Sequence, residues 1–245
     1  MNIILNAIEK WARETPENLA FVGSDHTGKS LPINYQELAD CIYYTAKQLQ
    51  SMEVNSLALR AENSLSWVII DLAAMMAEVV LVPIPTFFSP AQVSHILQCS
   101  DVDILIGEWS HCDSNTVGEC LDTMAGLAVY QHQSAQNISY LPGTRKITFT
   151  SGSTGAPKGV CLSDENICQV AQSLANAVQG EAHRHLIVLP LSTLLENITG
   201  AYVPLLLGVT SYVVSGEQSG LLGSNQLDAS RFATTLSQYQ PESLV

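Results

Sequence analysis

The sequence has 245 residues, 47% of them apolar and only 13% charged, with 10 lysines and arginines against 23 acidic residues and a formal net charge of −13. That composition excludes a disordered chain and, at this length, allows on the order of 70–75% of the unfolded surface to be buried. The acidic balance argues against a general binder of nucleic acid or of anionic membrane, so any phosphate site must be local, built from backbone amides and one or two cations.

Periodicity predicts a helix over 4–14, two short strands within 19–33, and a helix over 35–50 opened by a capping box of Asn34 and Glu37. A strand at 55–60, a helix at 64–77, a strand at 79–83, a helix at 89–99 and a strand at 102–106 follow. A helix at 115–124 and a strand at 126–130 lead into the polar stretch 131–139, which reads as a surface loop or a link between two subdomains meeting near 131–145. Beyond it come strands at 145–150 and 159–162, a helix at 164–179, a strand at 185–189, a helical segment at 193–206, a strand at 209–214 and a helix at 228–239. The alternation predicts an α/β fold of mostly parallel βα layers with helices on both faces. Ser243–Val245 looks like the first residues of a strand, so residues 1–245 read as the N-terminal part of a larger domain.

The six cysteines, at 41, 99, 112, 120, 161 and 168, contain no C-x-x-C pair and read as buried thiols of a reducing cytoplasm. The N-terminus lacks the basic region of a signal peptide. The most apolar stretch, Trp67 to Pro85, is interrupted by Asp71, Glu78 and Pro83, so no transmembrane segment is expected.

Gly23 to Ser30, GSDHTGKS, fits the G-x-x-x-x-G-K-[ST] pattern of a nucleotide-binding loop, but that pattern requires a helix to start at its Lys-Ser. Pro32 opposes helix at Leu31, and the helix starts only after Asn34, so Gly28-Lys29 is expected to turn a hairpin with Lys29 solvated. A better context surrounds Lys146-Ile-Thr-Phe-Thr150 and the following Ser-Gly-Ser-Thr-Gly-Ala-Pro-Lys-Gly-Val160. Ile147 and Phe149 alternate with Thr148 and Thr150 as in a half-buried strand, which opens into a loop of three glycines, four hydroxyls and one lysine. Gly152, Gly155 and Gly159 let the backbone approach an anion; Thr150, Ser151, Ser153 and Thr154 add neutral donors; Lys158 supplies the charge.

Residues 150–160, T-S-G-S-T-G-A-P-K-G-V, match all ten specified positions of the signature loop of the adenylate-forming (AMP-binding) superfamily, and the chain resembles the N-terminal portion of a long-chain acyl-CoA synthetase. Ile33-Asn-Tyr-Gln-Glu-Leu38 resembles the same family's first helix-hairpin region, and the resemblance runs along the whole chain while covering about half of the family enzyme. It implies ATP-dependent activation of an apolar carboxylic acid to an acyl-adenylate and then an acyl-CoA thioester, an acid-thiol ligase forming AMP. ATP, Mg²⁺ and CoA are the implied cofactors, with an acyl carrier protein as the alternative acceptor. By position, Lys158 and Thr154 take the catalytic roles, and Thr150, Ser151, Gly152, Ser153, Gly155 and Gly159 complete the grip on the β- and γ-phosphates.

Val188-Leu-Pro-Leu-Ser-Thr-Leu-Leu-Glu-Asn197 resembles the family's next motif, with Thr193 where a histidine is common and Glu196 at an acidic position of long-chain members. Both are expected to line the substrate pocket, although Glu196 reads equally as a polar helix residue. Residues 186–200 hold no aspartate to pair with a substrate ammonium, and Leu189, Leu191, Leu194 and Leu195 suit a hydrocarbon. His183 and His185 lack a third metal ligand nearby and read as a solvated loop; His95, His111 and His132 are isolated. The family's Y-G-x-T-E glutamate, its ribose-binding aspartate and its C-terminal lysine do not occur, so this chain alone is expected not to complete adenylation. A carrier-loading adenylation enzyme and a short non-catalytic phosphate-binding protein remain as alternatives.

Overall fold

The first five helices begin at side-chain caps in the computed structural model, which describes residues 2–24, 29–109, 117–133, 138–150, 157–180, 182–222 and 226–245. Asn2 Oδ1 accepts from the Ile4 amide to open α1 (Ile3–Glu14), and Asn34 with Glu37 forms the expected box at α2 (Tyr35–Ser51). Ser64 caps α3 (Leu65–Ala77), Ser89 with Gln92 boxes α4 (Pro90–Ser100), and Ser163 with Asn166 boxes α5 (Asp164–Val178). Each cap satisfies amides that the first helical turn leaves unpaired. Later helices are α6 (Leu194–Glu196), a π-helical turn (Asn197–Tyr202), α7 (Val203–Leu207), α8 (Gly216–Ser219) and α9 (Ala229–Tyr239).

The strands in chain order are β1 (Leu19–Ser24), β2 (Ser30–Asn34), β3 (Ser56–Arg60), β4 (Val80–Pro83), β5 (Ile104–Gly107), β6 (Val117–Met124), β7 (Leu127–His132), β8 (Thr144–Thr150) and β9 (Lys158–Ser163). They continue with β10 (Arg184–Ile187), β11 (Thr210–Val213), β12 (Leu221–Leu222), β13 (Gln226–Leu227) and β14 (Ser243–Leu244). One sheet runs β6-β7-β5-β3-β4-β8-β9, parallel at its centre and antiparallel at both margins. A second runs β14-β10-β11-β1-β2, with only the β1–β2 hairpin antiparallel. The fold is therefore the α/β one that the alternation predicts.

Helix α3 touches β1 of the second sheet and β4 of the first, and its residues Leu65 to Met75 are all buried. A helix apolar on every side must be enclosed, and enclosure by both sheets explains why this segment shows no polar face. The main core gathers around it from α1, α2, α5 and the π turn, including Trp67, Leu72, Phe21 and Tyr202. A second cluster, with Val82, Ile96, Leu105 and Ile147, fills the other face of the large sheet under α4.

Several expectations are corrected. The helix expected at 115–124 is, where described, the strand β6, which pairs antiparallel with β7 through a turn in which Ala125 and Gly126 both adopt positive φ. Most of its side chains are exposed, so its own residues carry no strand alternation and the pairing decides its state. The helical segment at 193–206 is split by the π turn. The cysteines are not buried: Cys99, Cys120 and Cys161 are exposed, Cys41 and Cys168 are half-buried, and Cys112 lies outside the described residues.

Candidate active site

β8 runs parallel to β4, with Lys146 opposite Leu81, so Thr150, the last residue of β8, lies at the carboxyl end of the sheet. Ligands of open α/β sheets bind at that end, outside the strands' carboxyl termini. Thr150 and Lys158 are cross-strand partners, and both are exposed. Ser151, Gly152, Ser153, Thr154 and Gly155 lie outside the described residues. Pro157 is buried, and its carbonyl oxygen lies 3.0 Å from His95 Nε2 on α4, so the residue before Lys158 is tied to a helix. Gly159 meets a packing constraint besides the anion approach expected of it. Its φ is not positive, but a Cβ there would meet Phe149 Cζ at 3.0 Å and Ile147 Cγ2 at 3.1 Å. The glycine is needed for packing across the β8–β9 ladder.

GSDHTGKS forms no phosphate loop of the strand-to-helix kind: β1 and β2 pair antiparallel, Ser24 opposite Ser30, and the chain continues as strand to Asn34. Lys29 is exposed, and residues 25–28 lie outside the described residues.

Where the parallel strands of both sheets end, a cleft of about 270 Å³ opens, lined by Glu62, Asn63, Thr86, Phe87, Val188 and Pro190 among others. Asn63 stitches its two walls together. Its Nδ2 donates to the Leu189 carbonyl at 2.8 Å, and the Leu191 amide donates to its Oδ1 at 2.8 Å. Arg60, at the end of β3, donates to the carbonyls of Glu108 and Thr86 and so fixes the segments after β5 and β4. Glu62 accepts a hydrogen bond from Thr86 Oγ1 at 2.5 Å.

Glu196 is wholly buried and accepts from the Val188 amide at 3.0 Å. Its other oxygen, Oε2, has no partner among the described residues. Burial pushes its pKa up to about 8, with the Val188 and Leu189 amides pulling the other way, so the group is mainly protonated at neutral pH. It is neither a solvated helix residue nor a carboxylate offered to the cleft. Thr193 caps α6 by position and donates its hydroxyl to the Pro190 carbonyl at 2.7 Å.

Sequence reasoning missed a buried polar cluster beneath the site. Lys146 Nζ donates to Asp71 Oδ1 at 2.6 Å, to the Tyr202 hydroxyl at 2.6 Å, and to Asn197 Oδ1. Asp71 Oδ2 in turn accepts from Asn197 Nδ2 at 3.0 Å and from the Tyr202 hydroxyl at 2.7 Å. All four residues are buried. Burial pushes the Lys146 ammonium down and the Asp71 carboxylate holds it up, while burial and that same carboxylate raise the Tyr202 phenol. Lys146 and Thr148 are both buried, so β8 is enclosed on both faces rather than half-exposed as its alternation suggests. The one sequence signal was Asp71, a carboxylate inside an apolar helix.

His183 is exposed as expected, but His185 is buried on β10, with Nδ1 2.9 Å from Ser243 Oγ and Nε2 unpartnered among the described residues. Burial lowers its pKa to about 4. His132 is also buried, Nδ1 2.6 Å from the Val102 carbonyl; His111 lies outside the described residues. Among the described residues no group of three or more His, Cys, Asp or Glu side chains could hold a metal ion, and no helix is long and apolar enough to cross a membrane.

The chain belongs to the AMP-binding enzyme family, whose profile matches residues 8–244. The nonribosomal peptide synthetase pboA of Aspergillus ustus is 26% identical over 168 residues, 66% of this chain and 8% of that protein. The long-chain-fatty-acid–CoA ligase ACSBG2 of Mus musculus is 35% identical over 71 residues, 27% of this chain and 11% of the ligase. Among solved structures, the N-terminal subdomain of Klebsiella oxytoca NpsA in complex with 3-hydroxybenzoyl-AMSN superposes with a TM-score of 0.67 at 20% identity. The match covers 97% of this chain and 58% of that one, and it shows a shared fold. The chain thus spans only part of the relatives it matches.

Proposed function

We propose that the full-length protein activates an apolar carboxylic acid with ATP. A carboxylate oxygen attacks the α-phosphorus, the bond from that phosphorus to the bridging oxygen breaks, and pyrophosphate leaves with the bond's electrons. The acyl-adenylate then passes its acyl group to a thiol, releasing AMP, with CoA as the thiol carrier in the favoured reading. The observation that carries this reading is the placement of Thr150 and Lys158, the two ends of the matching signature sequence, as cross-strand partners at the carboxyl end of a strand parallel to β4. Thr150 and Lys158, with Ser151, Gly152, Ser153, Thr154, Gly155 and Gly159 of the same signature, stand at the leaving pyrophosphate. Donors already aimed there stabilise charge as it develops without reorganising. ATP brings Mg²⁺ on its phosphates, an ion that needs only one or two protein carboxylates.

An apolar acid is favoured because Glu196, the only acidic residue in 186–200, is buried, mainly protonated and turned onto the Val188 amide just past β10. It offers no charge to a substrate ammonium. The second reading, an adenylation enzyme that loads an amino acid onto a carrier protein, draws on Glu62, a carboxylate that does line the cleft, and on the peptide-synthetase relative. Pyrophosphate exchange into ATP separates the two. Fatty acids are expected to drive exchange, with rates at low substrate climbing with chain length by about 0.8 kcal/mol per buried methylene. Exchange driven by amino acids and abolished by Glu62→Gln would establish the second reading, and exchange with neither class would remove both.

A further inference from the structure

We propose that the buried Lys146–Asp71–Asn197–Tyr202 network is a positioning device that locks the π turn at 197–202 to the strand carrying the phosphate loop. Through that turn it sets the orientation of Thr193 and Glu196, which hold Pro190 and Val188 in the wall of the cleft. The inference rests on the reading of the site given above and goes beyond it in naming residues that touch neither substrate.

Helical geometry ties the network to the π turn. Asn197 and Tyr202 are five residues apart, which on an α-helix, at 100° per residue, points them to different sides. The π turn, with its i→i+5 bonding shown by the Val203 amide donating to the Ile198 carbonyl, brings residues five apart back into line. In that alignment both reach the Lys146 ammonium. The network is closed: the three Nζ donors go to Asp71, Asn197 and Tyr202, and both Asp71 oxygens are used. A closed buried network is a poor source of net stability compared with apolar packing, but it is highly selective for one arrangement of its members.

That arrangement joins three elements. Lys146 belongs to β8, which ends at Thr150; Asp71 belongs to α3, which is enclosed by both sheets; Asn197 and Tyr202 belong to the π turn. The π turn directly continues α6, which begins after Thr193 and ends at Glu196. Removing the extra residue of the π turn would rotate α6 by about one helical position, 100°, relative to α7. That would pull Glu196 off the Val188 amide and away from Gly200, where an added Cβ would lie 3.1 Å from Glu196 Oε1.

Lys146→Met alone would strand a buried carboxylate, so the informative variants are Tyr202→Phe, which deletes one hydroxyl, and the double variant Asp71→Leu with Lys146→Met, which deletes both charges. In the full-length protein, exchange is measured with octanoate, laurate and palmitate while acid and ATP are varied separately. The expected result is a KM for the acid raised about tenfold in the double variant and less in Tyr202→Phe, with the KM for ATP within about twofold of wild type. Hydrogen exchange gives a reading independent of turnover. Amides of residues 197–203 are expected to lose protection about tenfold or more while those of β3 and β5 keep theirs. The proposal is overturned if a folded double variant keeps both its acid KM and the protection of 197–203, or if the KM values for acid and ATP rise together, the mark of a general structural loss. If wild type activates none of these acids, the substrate reading fails, and the hydrogen-exchange comparison alone then decides the locking role, unchanged protection overturning it.

Discussion

His95 Nε2 donates to the Pro157 carbonyl at 3.0 Å, so a helix on one face of the large sheet holds the residue that immediately precedes Lys158. A carbonyl can only accept, which assigns the Nε2–H tautomer to His95 in its neutral form. One such hydrogen bond is worth about 0.5–1.5 kcal/mol net. His95→Phe, which keeps the ring but not the donor, is therefore expected to weaken pyrophosphate binding about threefold to tenfold in a titration; unchanged affinity would show that the anchor does not position the lysine.

Lys158→Ala in the full-length protein should slow acid-dependent pyrophosphate exchange by about 10²–10³-fold, the scale for losing one electrostatic contact to a transition state. Lys29→Ala should leave the rate within error, because Lys29 leads into β2, a strand antiparallel to β1, and not into a helix. Equal losses in the two variants would mean that both lysine motifs serve the nucleotide.

Glu196 gives the stability a pH dependence of definite sign. Its carboxyl titrates near 8 in the folded chain and near the ordinary 4.5 when unfolded, so between those values the folded state holds the extra proton. Its contribution is complete below about pH 4.5 and is lost as the pH rises to about 8. From pH 6.5 to 8 wild type should lose about 1–2 kcal/mol more than Glu196→Gln. His185 stays out of this window: its folded value is about 4, so the stability it contributes is lost only as the pH falls below 6.5. Parallel pH profiles for wild type and Glu196→Gln in urea unfolding would refute the buried protonated state.

Gly159→Val should destabilise the chain by about 1–3 kcal/mol, the ordinary cost of forcing a side chain into packed neighbours. The strain is steric rather than conformational, since φ there is ordinary and the obstacle is Phe149 and Ile147. An unaltered urea midpoint would show that the ladder opens freely at this position.

What the sequence made legible is local. Helix starts at Asn34, Ser89 and Ser163 are written in caps three residues from their partners, and the strand-loop-strand around Thr150 to Lys158 carries its own punctuation. What it hid depends on distant partners. β6 is a strand because β7 pairs with it, although its exposed side chains carry no alternation. The π turn answers to Lys146 and Asp71, at least 51 residues away in sequence, and Glu196 loses its charge because burial removes its solvent, against the pull of the Val188 amide. Lys146, at the start of a strand whose alternation suggests half-burial, is buried.

The most direct test of the account is a titration of this 245-residue chain with pyrophosphate and, separately, AMP, followed by backbone amide resonances. Pyrophosphate should bind weakly, at roughly millimolar or about −4 kcal/mol, in preference to AMP. Shifts should centre on residues 150–159 and be abolished by Lys158→Ala. Equal binding of AMP, or pyrophosphate shifts that centre on residues 23–30 instead, would contradict it.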